Sequence, residues 1–325
     1  MAIEVYPNIF KVEIPLPNNP LRSLNSYIIK SEDRNLIIDT GFNLKECKDA
    51  LMKGIEETKI DLKNTYLLIT HLHSDHAGLA AALSKKGINV YAGKTDGEII
   101  NSSSKIEYWE KFVGYIKLFD LEKDNVTFQH LPGYKFSPKE QVEILSLVEG
   151  DVIKVGDYSL QVIDIPGHTP GHIGLYEKNH KLFFCGDHIL GKITPNIAFW
   201  GFEKDILEVF FESLKKVYDY DIEHLFTAHR DIVPNHQIRI NELLEHHRIR
   251  LNEILNIIKD EWKTVRDTAA CMHWDVRGKT WADFPDPQKW FASGETMSHL
   301  EHLYQIGKAE KTMKNGILYY KAYRS

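Results

Sequence analysis

The chain has 325 residues, of which 43% are hydrophobic, 26% charged and 11% aromatic. This is enough apolar material for a substantial core, and it excludes a mainly disordered, collagen-like or disulfide-framework chain. With 40 Lys and Arg against 46 Asp and Glu the net charge is −6, which excludes the strongly basic class of nucleic-acid binders.

Cys47, Cys185 and Cys271 are far apart and form no CxxC pair, as expected of reduced thiols. The N-terminus lacks the basic and apolar regions of a signal peptide, and no run approaches a membrane span. These features lead us to expect a cytoplasmic protein with no membrane partner.

In chain order, Tyr27–Lys30 and Leu36–Asp39 are short apolar runs around the polar turn Ser31–Asn35 and predict two strands. Leu44–Ile55 has helical spacing, Thr65–Thr70 is a buried-type strand, Gly78–Lys86 a short helix and Asn89–Tyr91 a strand. Residues 96–145 are less regular. Their aromatics Tyr108, Trp109, Phe112, Tyr115 and Phe119 read equally as a pocket wall or as a helix packed on a core. Strands resume at Asp151–Val155, Leu160–Ile165, Ile173–Tyr176 and Leu182–Cys185, followed by a helix over Lys204–Tyr220 and a strand over His224–Thr227.

A boundary near Pro234-Asn235 divides residues 1–235 from 236–325. Beyond it we expect an amphipathic helix over Asn241–Lys259, a helix over Val265–Met272, a loop over Trp281–Pro287 and a helix over Ser293–Gly307. A hairpin turning at Asn315-Gly316 closes the chain. Helices ending in a hairpin suggest a small winged-helix-like domain.

The histidines carry the functional signal. His71-Leu-His73-Ser-Asp75-His76 follows directly on the strand ending at Thr70, so four metal-capable side chains lie within six residues. His71 and His73 can reach one ion, and Asp75 and His76 can turn to a second. The plain alternative is a solvated His-rich turn. One loop cannot complete such a site, because a catalytic metal needs three or more protein ligands and an open position. Other strand ends supply candidates: His168 in Gly167-His168-Thr-Pro-Gly171-His172, Asp187 in Gly186-Asp187-His188, and His229 after Ala228.

These motifs, in this order, resemble the metallo-β-lactamase superfamily over residues 1 to about 235. The resemblance implies an α/β fold, a four-layer αβ/βα sandwich with the site at strand ends. It implies that His71, His73 and His168 hold one divalent ion, that Asp75, His76 and His229 hold a second, and that Asp187 bridges them. The metal expected is zinc, with iron or manganese as alternatives. Asp39, in the Asp-Thr-Gly turn, would orient ligands from behind, as would His172 and His188. Position 73 is His where the flavodiiron branch typically carries Glu, and position 187 is Asp where many zinc β-lactamases carry Cys. His-Thr-Pro-Gly-His is similar to the glyoxalase II and lactonase branch. Residues 242–325 resemble the winged-helix-type extension of some hydrolases of the superfamily and do not match the glutathione-binding domain of glyoxalase II.

The resulting expectation is a binuclear hydrolase of a small ester, lactone or thioester, acting by attack of a metal-bridging hydroxide. Asp75 is then the catalytic carboxylate that orients the nucleophile and passes its proton on. Arg22, Phe199 and Trp200 are candidates for the substrate pocket. Two alternatives stand beside this: a metal-dependent endoribonuclease or phosphodiesterase, and a non-enzymatic metal-stabilised binding module. For RNA, residues 241–325 carry 13 Lys and Arg against 12 Asp and Glu, with Lys308, Lys311, Lys314, Lys321 and Arg324 along the hairpin. The amphipathic helix must bury its apolar face, within the chain or in a homodimer.

Overall fold

The structure is a computed structural model that describes residues 1–230, 232–275 and 280–323. In chain order its elements are β1 (Ala2–Tyr6), β2 (Ile9–Pro15), β3 (Ser23–Ile29), β4 (Asn35–Ile38), α1 (Lys45–Thr58), β5 (Thr65–Ile69), α2 (Ser74–Ala77), α3 (Ala80–Ser84), β6 (Asn89–Gly93), α4 (Lys94–Ser103), α5 (Ile106–Leu118) and α6 (Pro132–Phe136). There follow β7 (Ile144–Leu147), β8 (Val152–Val155), β9 (Tyr158–Asp164), β10 (Ile173–Glu177), β11 (Leu182–Gly186), α7 (Ile206–Tyr218), β12 (His224–Thr227), α8 (His236–Ile257), β13 (Lys263–Thr264), α9 (Val265–Cys271), α10 (Asp286–Gln305), β14 (Ala309–Lys314) and β15 (Ile317–Ala322). Two compact units result. Unit 1 is Met1–Lys105, Phe136–Pro195 and Ser213–Ile240; unit 2 is Ile106–Lys135, Asn196–Glu212 and Asn241–Ser325.

Unit 1 contains a seven-stranded sheet in sequential order β1 to β7 and a five-stranded sheet in the order β12-β11-β10-β9-β8. β4, β5, β6 and β7 run parallel, as do β11 and β12. β4 and β11 are near-continuous apolar runs because both their faces are covered. Between the sheets, Ile29, Leu36, Ile38 and Leu68 of the first pack with Leu160, Val162, Leu175 and Phe184 of the second. The other face of the first sheet buries Ile28, Ile37, Leu67 and Val90 against Cys47, Leu51 and Ile55 of α1 and Leu83 of α3. Beyond the second sheet, Tyr220 after α7 packs edge-on against Tyr176 and meets Phe183. These layers are the αβ/βα sandwich.

Strands β1, β2 and β7 are additions to the sequence reading. β1 is a half-exposed edge and β7 is a four-residue edge strand, so neither has a clean apolar pattern.

Unit 2 is built on helices and a three-stranded sheet, β13-β15-β14. α5, read within an irregular stretch, belongs here. Its Trp109 is buried with Phe128 and Leu131, so this part of the aromatic segment is core. The hairpin forms as expected, with Asn315 at φ 54° and Gly316 at φ 81°, the left-handed pair a two-residue turn requires. Two helices start earlier than their patterns suggest. α8 begins at His236 because the Asn235 side chain accepts from the Ile238 N–H at 2.9 Å. α10 begins at Asp286 because Pro287 sits in its first turn, where a missing N–H costs nothing. Its residues Ala292–Leu303 are all buried, polar ones included, so no apolar stripe marks it. Arg324 lies outside the described residues. Among the described residues no helix is long and apolar enough to cross a membrane.

Candidate metal centre

The C-terminal ends of β4, β5, β9, β11 and β12 deliver Asp39, His71, His168, Asp187 and His229 to one place in unit 1. The chain must turn sharply there. Asp39 is at φ 59° and Gly186 at φ 50°, and Arg230, after His229, is at φ 63°. At Gly186 a Cβ would lie 2.5 Å from His172 Nε2 and 2.8 Å from Thr70 Oγ1, so only glycine fits the turn into Asp187. His73 precedes the single turn α2, which carries Asp75 and His76 back toward His71.

Seven side chains converge as two groups. In the first, His73 Nδ1 is 3.1 Å from His71 Nε2 and 2.9 Å from His168 Nε2. In the second, Asp75 Oδ2 is 3.3 Å from His229 Nε2 and 3.9 Å from His76 Nε2. Asp187 faces both: its Oδ2 is 3.6 Å from His168 Nε2, and its Oδ1 is 3.5 Å from both His76 Nε2 and His229 Nε2.

Hydrogen bonds behind these groups set which ring nitrogens face inward. Asp39 accepts from the Thr70 N–H at 2.8 Å, from the Thr70 hydroxyl at 2.8 Å and from His76 Nδ1 at 2.7 Å. A hydroxyl has one proton. Having given it to Asp39, Thr70 accepts from His71 Nδ1 at 3.1 Å, which leaves the His71 Nε2 lone pair pointing at His73. His229 Nδ1 likewise donates to the Ser23 carbonyl at 2.7 Å. Asp39 therefore lies behind the converging side chains, hydrogen-bonded to Thr70 and His76.

The electrostatics divide the same way. Burial holds His71 well below its usual range and His73 down to about 3, helped by neighbouring imidazoles and opposed at His73 by Asp75 and Asp187, so both are neutral lone-pair donors. Burial would also lower His76 and His229, but the surrounding carboxylates, Asp39, Asp187 and Asp75 for the first and Asp187 and Asp75 for the second, raise both. Burial would raise Asp75 and Asp187, yet the facing histidines lower both, Asp75 to about 2. Carboxylates thus gather around the second group and favour positive charge there.

Among the described residues, His76 Nε2, His229 Nε2 and Asp187 Oδ1 are buried without a hydrogen-bond partner. Orphaned buried acceptors are costly, and imidazole nitrogens with carboxylate oxygens form the donor set of zinc and related divalent ions. The residues present therefore fit a metal.

The remaining candidates are distributed as follows. His172 is fully buried, its ring centroid 4.6 Å from that of His71, and neither of its nitrogens has a hydrogen-bond partner among the described residues. His188 is fully buried, 6.4 Å from His172 between ring centroids. Arg22 is exposed at φ 71°, and its backbone closes the turn with Leu16 and Asn19. Phe199 and Trp200 belong to unit 2, where Phe199 packs edge-on against Tyr115 and Phe119, the core arrangement rather than a free pocket wall.

Asp96 escaped the sequence reading. It lies in the first turn of α4, after β6, fully buried. Its carboxylate accepts from the Leu72 N–H at 2.9 Å, the Thr169 hydroxyl at 2.5 Å and the Gly171 N–H at 2.6 Å. Burial pushes it up to about 6 against these three bonds, which pull it down. No metal-type spacing marks it. The only signal was a carboxylate just past the end of a parallel strand.

The chain is similar to several known proteins. A hydroxyacylglutathione hydrolase, GloC, of Haemophilus influenzae is 28% identical over 178 residues, 50% of this chain and 65% of that protein. A human acyl-coenzyme A thioesterase, MBLAC2, is 27% identical over 172 residues, 50% of this chain and 57% of that protein. The chain thus spans about three fifths of the length of these curated relatives. The crystal structure of a metallo-β-lactamase family protein from Thermus thermophilus superposes with a TM-score of 0.81 at 22% identity, covering 98% of this chain and 100% of that one. The family profile of the metallo-β-lactamase superfamily matches residues 20–233, a stretch that holds both groups of converging side chains and the Asp39 behind them, and so the chain belongs to that superfamily.

Proposed function

We propose that the chain is a binuclear metal-dependent hydrolase of a small ester, lactone or thioester, with residues 1–235 carrying the chemistry and 236–325 forming a winged-helix-like domain. One observation carries this reading: two groups of donor atoms share Asp187, one carboxylate oxygen to each. His71, His73 and His168 would hold one ion and Asp75, His76 and His229 the other, and the nitrogen-rich donor set favours zinc over iron or manganese. Two divalent ions, when bound, supply Lewis acidity toward a substrate oxygen and an acidified water as nucleophile.

The chain's own contribution is positional. Thr70 and Ser23 fix the tautomers of His71 and His229, so each presents Nε2. Asp75, ionised and slightly open to solvent, orients the attacking water and relays its proton to the leaving group. The name of the human relative, an acyl-coenzyme A thioesterase, supports testing thioesters first. The hairpin gives little support to RNA, because Lys311 is engaged by Glu301 at 2.9 Å.

The test is proton release by metal-loaded protein from a panel of thioesters, lactones, phosphodiesters and single-stranded RNA, with Asp75→Ala as control. Turnover of a carbonyl substrate that falls at least about a hundredfold in the variant is expected, general acid–base groups contributing on that order. Cleavage of RNA or phosphodiesters alone would overturn the assignment.

A further inference from the structure

We propose that Asp96 is a positioning residue that sets one metal site and leaves the other untouched. This rests on the metal reading above. The first group draws its ligands from two loops distant in sequence, 71–76 and 168–172. Their meeting point, His73 Nδ1 to His168 Nε2, is 2.9 Å. Asp96 binds both loops at once. Its Oδ2 takes the N–H of Leu72, which lies between His71 and His73, and the hydroxyl of Thr169, which follows His168. Its Oδ1 takes the N–H of Gly171. The approach is as close as a chain allows: a Cβ at Gly171 would lie 2.5 Å from Asp96 N and 2.8 Å from its Oδ1. Thr169 and Gly171 of His-Thr-Pro-Gly-His are therefore explained by Asp96 rather than by direct contact with an ion.

Asp96 makes none of the hydrogen bonds that hold Asp75, His76 or His229. The two imidazoles of that group are oriented by Asp39 and the Ser23 carbonyl. The carboxylate of Asp96 is wholly buried and accepts from three donors, so an amide in its place would turn an N–H₂ toward at least one of them. Loss of a partner that orients metal ligands typically costs 10–100-fold in affinity. The expected loss is selective.

Cobalt(II) binding decides the matter, read by stoichiometry and by the visible spectrum of each site, with no substrate present. Wild-type protein should bind two ions. Asp96→Asn and Thr169→Val should weaken one of them tenfold or more, with loss of the same absorption band that His168→Ala removes. The second ion should stay within threefold, and Thr169→Ser, which restores the hydroxyl, should recover the first. Equal weakening of both ions, or of neither, would overturn the role. Wild-type protein that binds no cobalt would remove the metal reading itself, and this role with it. Thr169→Val answers the question if Asp96→Asn does not fold.

Discussion

At the scale of single residues, the centre depends on a proton inventory as much as on ligand identity. Thr70 is not a ligand, yet its single hydroxyl proton decides which nitrogen His71 turns inward. Thr70→Val removes that proton while keeping the side-chain volume, and leaves Asp39 short of one donor and His71 Nδ1 without its acceptor. We expect metal affinity to fall about 10–100-fold, with Thr70→Ser near wild type. Equilibrium dialysis against a metal buffer measures this, and equal affinity for the valine and serine variants would show that the relay has no effect. Asp39 could be read from its Asp-Thr-Gly turn. Thr70 and Asp96 could not, because their importance lies in partners that only folding brings near: Asp96 lies 73 residues from Thr169.

At the scale of elements, α8 and α10 of unit 2 are joined through buried imidazoles. His299 Nδ1 donates to the Glu295 carbonyl at 2.7 Å, and His247 Nδ1 lies 3.0 Å from His299 Nε2. Burial pushes His299 down to about 3, with Arg250, His246 and His302 adding to the effect and the Glu295 carbonyl opposing it. Burial also lowers His247, helped by His299 and Arg250. Both are neutral when folded. When unfolded each takes a proton below its ordinary value of about 6.5, so the unfolded state binds more protons as pH falls. Unit 2 should therefore lose stability from about pH 6.5 toward pH 3, by up to about 1.4 kcal/mol per pH unit for each histidine. Urea unfolding followed by tryptophan fluorescence should show the midpoint falling with acidity. A His299→Gln variant should show a shallower fall, and an identical slope would rule the pair out as the cause. α10 also shows why its start was misplaced: a helix buried on every side around polar pairs has no amphipathic stripe to read.

At the scale of the whole molecule, the seven converging side chains all lie in unit 1, and all six tryptophans lie in unit 2. Tryptophan fluorescence thus follows unit 2, while the β-sheet signal in circular dichroism comes mainly from unit 1. A ligand that binds only the folded state stabilises it by about 2.7 kcal/mol at a hundredfold excess over its Kd. Chelation should lower the thermal midpoint seen by circular dichroism, and restored zinc should raise it again. An unchanged midpoint after verified metal loss would count against a stabilising metal in unit 1. The sequence by itself determined the donor inventory and its place at strand ends. A buried strand followed by His71-Leu-His73-Ser-Asp75-His76 is a local pattern, and the later His and Asp positions each follow an apolar run of their own. Tertiary structure alone decided which nitrogen of each ring points inward, which carboxylate ties the two loops together, and that residues 106–135 and 196–212 join the C-terminal helices in one core. Those outcomes depend on contacts between segments far apart in the chain, and periodicity and spacing within a segment carry no information about them.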